Sequence, residues 1–315
     1  MCYLTIVPEM CREVKNGYFI YILSRWFIVY KMEIKKLTRE EFPKLLLQIP
    51  DAPKQLYLKG NLPPEDAKML CVVGSRNNTT YGKDVCQKFI SSLAGKNVAI
   101  ISGLALGIDA IAHQAAIDAG LYTLAIPGSG IDEKVLHPQS NLHLSRRILE
   151  SGGGILSEFE PTFKATQYSF PMRNRVMAGL SHAVFIIEAE IKSGTLITSR
   201  LATDYNRDVL TVPGSIYSKN TAGPHMLIRL GATPITKPEE LLLALGFDTQ
   251  MSLPNLSRDD CSEQEKKILE LLHEPLVRDE LIRQSTLSTS EANMYISLLE
   301  MKGYIQESMG EIRLV

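Results

Sequence analysis

Cys71-Val72-Val73-Gly74-Ser75-Arg76 is the stretch that decides how this chain is read. An apolar run ends in a glycine turn and a cation. The same form recurs in Ala99-Ile100-Ile101-Ser102-Gly103 and in Leu124-Ala125-Ile126-Pro127-Gly128. Each predicts a buried strand that delivers a small-residue turn to the start of a helix. Backbone N–H groups at such turns face an incoming anion, and Arg76 adds a cation there. The anion could belong to a nucleotide cofactor or to a nucleic-acid backbone, and the neighbouring residues must decide.

Outward from these turns, strand and helix patterns alternate between residues 68 and 247. After the first strand, Val85, Phe89 and Leu93 recur four apart and predict a helix over 81–94, stopped by Gly95. A strand over 98–101 leads through Gly103 and Gly107 into a helix over 108–119, closed by Gly120, and 122–126 is the third strand. Later apolar runs fall at 155–156, 183–187, 209–212 and 234–235. Near-continuous apolar strands between amphipathic helices predict an α/β fold, an extended Rossmann-like, doubly wound and mostly parallel sheet covered on both faces. Its ligands belong at the carboxyl ends of the strands, where the glycine turns converge. Residues 32–67 read as a lead-in, 68–247 as this domain and 248–257 as a linker. From 258 to 315 come three helices and a hairpin. Ser262 with Glu265 forms a capping box before the first helix, and Ser288-Thr289-Ser290 introduces the third. That is a winged-helix pattern.

Composition narrows the partners. The net charge of −1 hides a gradient, with 11 Lys/Arg against 8 Asp/Glu in 1–68, 16 against 14 in 69–247, and 7 against 12 in 258–315. No basic tail announces nucleic acid, so binding must use a local patch. Five scattered cysteines without a C-x-x-C pair fit a reducing cytoplasm and give no zinc spacing. The apolar stretch 18–30 is too short to span a bilayer and is broken by Ser24 and Arg25. No membrane role is expected. Residues 1–31 are read as an extension upstream of a start at Met32.

The cofactor readings fail on residue identity. The first turn holds one glycine rather than G-x-G-x-x-G, the second strand ends in Ser102 rather than an acid, and no P-loop lysine follows. No nucleophile elbow or metal-ligand spacing occurs, so no catalytic residue, metal or cofactor is assigned. His113 and His137 are single histidines, which are more often packed or solvated than catalytic. In Phe170-Pro171-Met172-Arg173-Asn174-Arg175 a helix starting after Pro171 would carry Arg173 and Arg175 in its first turn, where cations oppose the helix dipole. An external anion would reconcile them. The expectation is that one arginine pairs internally with Glu158 or Glu188 and the other faces ligand. Ser193-Gly194-Thr195 opens a further helix, either as a plain cap or as a phosphate contact.

Five ordered motifs then make the chain specific: Gly74-Ser75-Arg76; Ser102-Gly103-Leu104-Ala105-Leu106-Gly107-Ile108-Asp109 with His113; Phe170-Pro171-x-Arg173-Asn174-Arg175-x-x-Ala178-Gly179-Leu180; Ser193-Gly194-Thr195-Leu196-Ile197-Thr198; and Val212-Pro213-Gly214-Ser215. Over about 54–247 the chain resembles the DNA-processing protein A family (DprA, also called Smf), and the tail resembles the winged helix that many members carry. The resemblance implies a non-enzymatic homodimer that binds single-stranded DNA, protects incoming DNA and loads the RecA recombinase in natural transformation and recombination. It places Arg76 on a DNA phosphate. The family's Tyr-Pro-Lys-x-Asn segment matches His137-Pro138-Gln139-Ser140-Asn141, so Gln139 replaces a phosphate-binding lysine. His225, Met226 and Ile228 fall in the region used for dimer and RecA contacts.

The expected single-stranded DNA site is therefore Gly74, Ser75, Arg76, Gly103, Gly107, His137, Gln139, Asn141, Arg173, Asn174, Arg175, Ser193, Gly194 and Thr195. An alternative is a nucleotide phosphoribohydrolase of the same superfold. Its catalytic Glu falls at Thr198 here, leaving N-glycosidic hydrolysis without its acid. A duplex-reading regulator is the third reading, and the acidic balance of 258–315 speaks against it.

Overall fold

The computed structural model describes residues 33–247, 261–308 and 310–314, together with the backbone of 12–15, 18–23 and 26–31. It divides into two compact units, 1–249 and 250–315. In the N-terminal stretch, β1 (Arg12–Lys15), β2 (Tyr18–Leu23) and β3 (Trp26–Lys31) pair antiparallel in a sheet of their own. The extension read for 1–31 falls on this stretch, and its remaining residues lie outside the described set, as does the linker expected at 248–257.

The main sheet has nine strands. In chain order they are β4 (Lys35–Leu37), β5 (Leu56–Gly60), β6 (Lys68–Val73), β7 (Val98–Ser102), β8 (Tyr122–Ala125), β9 (Gly154–Ser157), β10 (Ala183–Ile186), β11 (Asp208–Thr211) and β12 (Thr233–Pro234). Across the sheet the order is β12-β11-β10-β6-β7-β8-β9-β5-β4. Every pairing from β12 to β9 is parallel, and β5 and β4 add antiparallel at one edge. The lead-in thus supplies two strands of the same sheet.

Alternation along β6 shows why both faces are dry. Met69, Cys71 and Val73 enter one core with the helices α1 (Lys44–Leu47), α5 (Ser169–Leu180) and α6 (Thr195–Asp204). Leu70 and Val72 enter the other with α2 (Thr80–Ser91), α3 (Ile108–Asp118) and α8 (Pro238–Ala244). Strands buried on both sides read as continuous apolar runs, which is the pattern seen in the sequence. The helix α4 (Leu142–Glu150) covers β8 and β9, and α7 (Ala222–Arg229) follows β11.

One expected boundary is corrected. The fifth helix begins at Ser169, so Pro171 sits inside its first turn and Arg173 and Arg175 lie beyond it. Proline is tolerated there because the first N–H groups of a helix have no intrahelical partner.

The second unit carries α9 (Glu263–Leu271), α10 (Arg278–Gln284) and α11 (Thr289–Met301) with β13 (Leu276–Val277), β14 (Ile305–Ser308) and β15 (Glu311–Leu314) in the order β13-β15-β14. Capping boxes at Ser262–Glu265 and Ser288–Glu291 start α9 and α11. Ile268, Leu281, Ile296, Leu299 and Ile312 form its core.

Candidate nucleic-acid interface

The sheet order reverses between β10 and β6. From β6 the chain moves outward through β7, β8 and β9, then returns to place β10 on the other side of β6. At such a switch point the two following loops part and leave a crevice at the carboxyl ends of the strands. A cavity of about 350 Å³ opens there. Its walls come from the turn after β6 (Gly74, Ser75, Arg76), the segment after β10 (Glu190, Lys192, Ser193, Gly194, Thr195) and the start of α5 (Phe170, Arg173, Asn174).

Arg76 is exposed and makes no ion pair among the described residues. Its guanidinium lies 5.2 Å from the centre of the Phe170 ring. An aromatic face holds a cation in place without neutralising it. The N–H groups of Ser75, Arg76 and Gly194 donate no hydrogen bond among the described residues, whereas Thr195 donates its N–H to Ser193 Oγ at 3.1 Å. The Thr195 hydroxyl donates to Gly74 O at 3.1 Å and ties the start of α6 to the first turn. Arg76, Lys192 and the N-terminus of α6 thus converge on one opening. Glu190 is the exposed carboxylate on its wall.

Arg173 plays another part. It is buried at 5% exposure, and its guanidinium donates to the carbonyls of Gly103 and Ile126 and to Asn174 Oδ1 at 3.1 Å. Asp109, also buried, accepts from Gly103 N at 3.1 Å. Burial pushes the Asp109 carboxyl above its usual range, and the Arg173 charge and the N–H groups of Ala105 and Gly103 oppose that rise. Burial likewise lowers the Arg173 guanidinium, and Asp109 opposes it. The two charges brace the floor of the cavity.

Two glycines make the brace possible. A Cβ at Gly103 would lie 2.5 Å from Arg173 Cζ and 2.6 Å from Asp109 Oδ2. Gly107, at φ +75°, would press a Cβ into the carbonyls of Ser75 and Arg76. Ile108 N donates to Ser75 O at 3.1 Å, so the β7–α3 loop supports the Arg76 turn from behind. Neither glycine lines the main cavity; Gly103 borders a small adjoining one with His137, Leu106 and Phe170.

The other expected residues divide. Arg175 is ion-paired with Glu158 and donates to Asp51 O, as expected of one of the two arginines. The expectation that the other stays free is corrected, because Arg173 is buried and donates to two carbonyls and to Asn174 Oδ1. Burial raises the Glu158 carboxyl, and Arg175 opposes it. Gln139 donates to Glu133 O and Leu136 O, both at 2.9 Å. Asn141 donates to Leu104 O and Ala105 O at 2.9 and 3.1 Å. These two side chains fasten loops rather than line the cavity. His137 is exposed, with its ring 5.6 Å from that of Phe170. His113 is fully buried, with Nδ1 2.7 Å from Thr123 Oγ1, and burial pushes its imidazole down to about 3. It is a packed residue.

Phe170, Lys192 and Asp109 were not singled out from sequence. Lys192 had a signal, since it stands directly before Ser193 at the end of a strand–turn. Phe170 and Asp109 had none beyond their place in motifs, because only the fold brings them to Arg76 and Arg173. Glu188 was considered only as an arginine partner. It is wholly buried and instead accepts from Thr79 N at 2.9 Å, from the Thr79 hydroxyl at 2.5 Å and from Asn220 Nδ2 at 3.4 Å. It anchors the start of α2 beside the Arg76 turn. Among the described residues no His, Cys, Asp or Glu cluster could hold a metal.

A doubly wound sheet with a cationic crevice at its switch point, followed in the chain by a winged helix, defines a Rossmann-like protein with a winged-helix tail. The family model of DNA recombination-mediator protein A matches residues 33–246, and that of the DprA winged helix domain matches 252–311. The chain belongs to the DNA recombination-mediator protein A family. It is similar to Protein Smf of Escherichia coli, with 40% identity over 208 residues, 66% of this chain and 55% of that protein. The chain therefore spans about half the length of that relative. It is also similar to the DNA processing protein DprA of Streptococcus pneumoniae, with 39% identity over 206 residues, 65% of this chain and 72% of that one. The X-ray structure of the S. pneumoniae protein aligns with a TM-score of 0.63 at 35% identity, covering 69% of this chain and 76% of that one. A Helicobacter pylori DNA processing protein A, solved for its unique single-stranded DNA binding mode, aligns with a TM-score of 0.61 at 29% identity. That match covers 68% of this chain and 96% of that one. No helix among the described residues is long and apolar enough to cross a membrane.

Proposed function

We propose that this chain binds single-stranded DNA along the carboxyl edge of its sheet, with Arg76 as the principal phosphate cation. The observation that carries the reading is an exposed guanidinium, held over Phe170 and in no salt bridge among the described residues, beside the N–H groups of Ser75, Arg76 and Gly194. The single-stranded DNA binding of the H. pylori relative supports it. Lys192 assists, while Arg173, Gly103 and Gly107 shape the crevice from beneath. The exposed cations are few, so affinity rests on few phosphate contacts and on base stacking. We further propose that the protein works as a cytoplasmic homodimer that shields incoming strands and loads a RecA recombinase, with His225, Met226 and Ile228, half-buried on α7, in those contacts. Light scattering with Met226→Lys tests the dimer; an unchanged mass in the variant argues against this surface.

The decisive test is binding of single-stranded and duplex oligonucleotides to wild type and Arg76→Ala over a salt series. One phosphate contact on a single strand carries a salt slope of about 0.7. The variant should lose about that much slope and roughly tenfold in affinity, the lower end for a hydrogen bond to a charged group. Unchanged affinity refutes the assignment. The phosphoribohydrolase alternative predicts free base from nucleoside monophosphates. Thr198, buried on the cavity wall where that chemistry needs a glutamate, leads us to expect none.

A further inference from the structure

The third helix of a winged-helix unit is the one that enters the DNA groove in duplex readers, and there it carries cations and amides. Here α11 contains no lysine or arginine at all. Its inner face sends Ala292, Ile296 and Leu299 into the core. Its outer face presents Met294, Leu298 and Met301, at 49%, 38% and 85% exposure. Those positions are four and three residues apart, so they stand in one row along the helix. Ser297 beside them is small and exposed, which leaves room for a facing side chain. A row of apolar anchors at this spacing is the form in which helical faces recognise one another.

Charge identifies the occupant. Four cations of the unit are already matched: Lys266 with Glu263, Arg278 with Glu307, Arg283 with Glu280, and Lys302 with Glu265. The exposed carboxylates Glu270, Glu274, Asp279, Glu291, Glu300 and Glu311 have no ion pair among the described residues. Among the described residues Lys267 and Arg313 stand against them. Glu291 and Glu300 sit on α11 itself, towards either end of the apolar row. A nucleic-acid backbone would be repelled. A second copy of the same helix would bring carboxylates together over a seam of three apolar side chains, far short of the roughly 800 Å² per partner that stable pairs bury.

We propose that the outer face of α11 is a docking surface for a basic amphipathic helix of another protein, Met294, Leu298 and Met301 receiving its apolar side and the surrounding carboxylates its lysines or arginines. Methionines suit this role because an unbranched thioether chain adapts to the side chains it meets. The inference does not depend on the crevice of the first unit binding DNA.

The test uses the full chain and a fluorescein-labelled, 18-residue Leu/Lys amphipathic peptide, read by anisotropy at physiological salt beside a Leu/Glu peptide of the same pattern. The Leu/Lys peptide should bind and the Leu/Glu peptide should not. Leu298→Glu, an exposed change that keeps the melting temperature, should weaken binding at least tenfold although it adds negative charge. Glu300→Lys should weaken it about threefold. Equal or tighter binding by Leu298→Glu would mean bulk electrostatics and overturns the docking surface. So do failure of wild type to bind the Leu/Lys peptide, equal binding of the Leu/Glu peptide, a wild-type dimer that Leu298→Glu dissociates, and duplex DNA binding that Leu298→Glu abolishes.

Discussion

Replacing Arg173 with methionine should destabilise the first unit rather than remove a DNA contact. The guanidinium is buried, and it supplies hydrogen bonds to Gly103 O, Ile126 O and Asn174 Oδ1 while facing the buried Asp109. Methionine keeps the unbranched stem but removes the guanidinium head with its donors and its charge. Two carbonyls then lose a donor and Asp109 loses its cation. Removing one partner of a buried charge arrangement costs about 3–5 kcal/mol. For a unit of this size each kcal/mol moves the melting temperature by about 2–4 °C, so calorimetry at pH 7 should show a drop of roughly 6–20 °C. Arg76→Ala, which loses an exposed cation–π contact of about 0.5–1 kcal/mol, should move it by only a few degrees. Acid supplies a second reading. Without Arg173 the Asp109 pKa rises further above its unfolded value, so the folded variant takes up a proton that the unfolded chain does not. Its stability relative to wild type therefore recovers as pH falls through that raised pKa. A variant that melts with wild type at pH 7, or whose deficit is the same at pH 7 and pH 5, refutes the brace.

His113 makes an independent pH prediction. Its imidazole sits at about 3 in the fold and near 6.5 when unfolded, so below pH 6.5 the unfolded chain alone binds the proton. Between pH 7 and pH 5 wild type should lose about 2 kcal/mol more stability than His113→Gln in urea unfolding, and an equal loss in both would argue against a buried neutral ring. Gln139→Lys should restore a cation on the His137–Asn141 loop. It should raise the single-strand salt slope by about 0.7 and tighten binding several-fold, and an unaltered slope would place this loop away from the phosphates.

The alternation of apolar strands and amphipathic helices, the glycine turns at strand ends and the capping residues of the tail were all legible in the chain. They are local signals, repeated at the period of the element that they build. The parallel pairing of β6 with β7 and β10, and the burial of both sheet faces, follow from that periodicity, because strands apolar on every residue must be covered twice. The start of α5 was less legible, since a proline in a first turn and a proline before a helix look alike in sequence.

What the sequence by itself determined is where cations and glycines stand relative to strand ends, and hence that Gly74-Ser75-Arg76 begins a crevice at those ends. Which arginine is available to a ligand was decided by tertiary structure alone. Arg76, Arg173 and Arg175 carry the same charge, but Phe170 holds Arg76 in the open, carbonyls and Asp109 enclose Arg173, and Glu158 neutralises Arg175. Those partners lie about 17 to 94 residues away along the chain, in segments that only the switch in strand order brings together. A charge exposed to water and a charge matched in the interior differ by their surroundings, and surroundings at that distance leave no mark on a local motif.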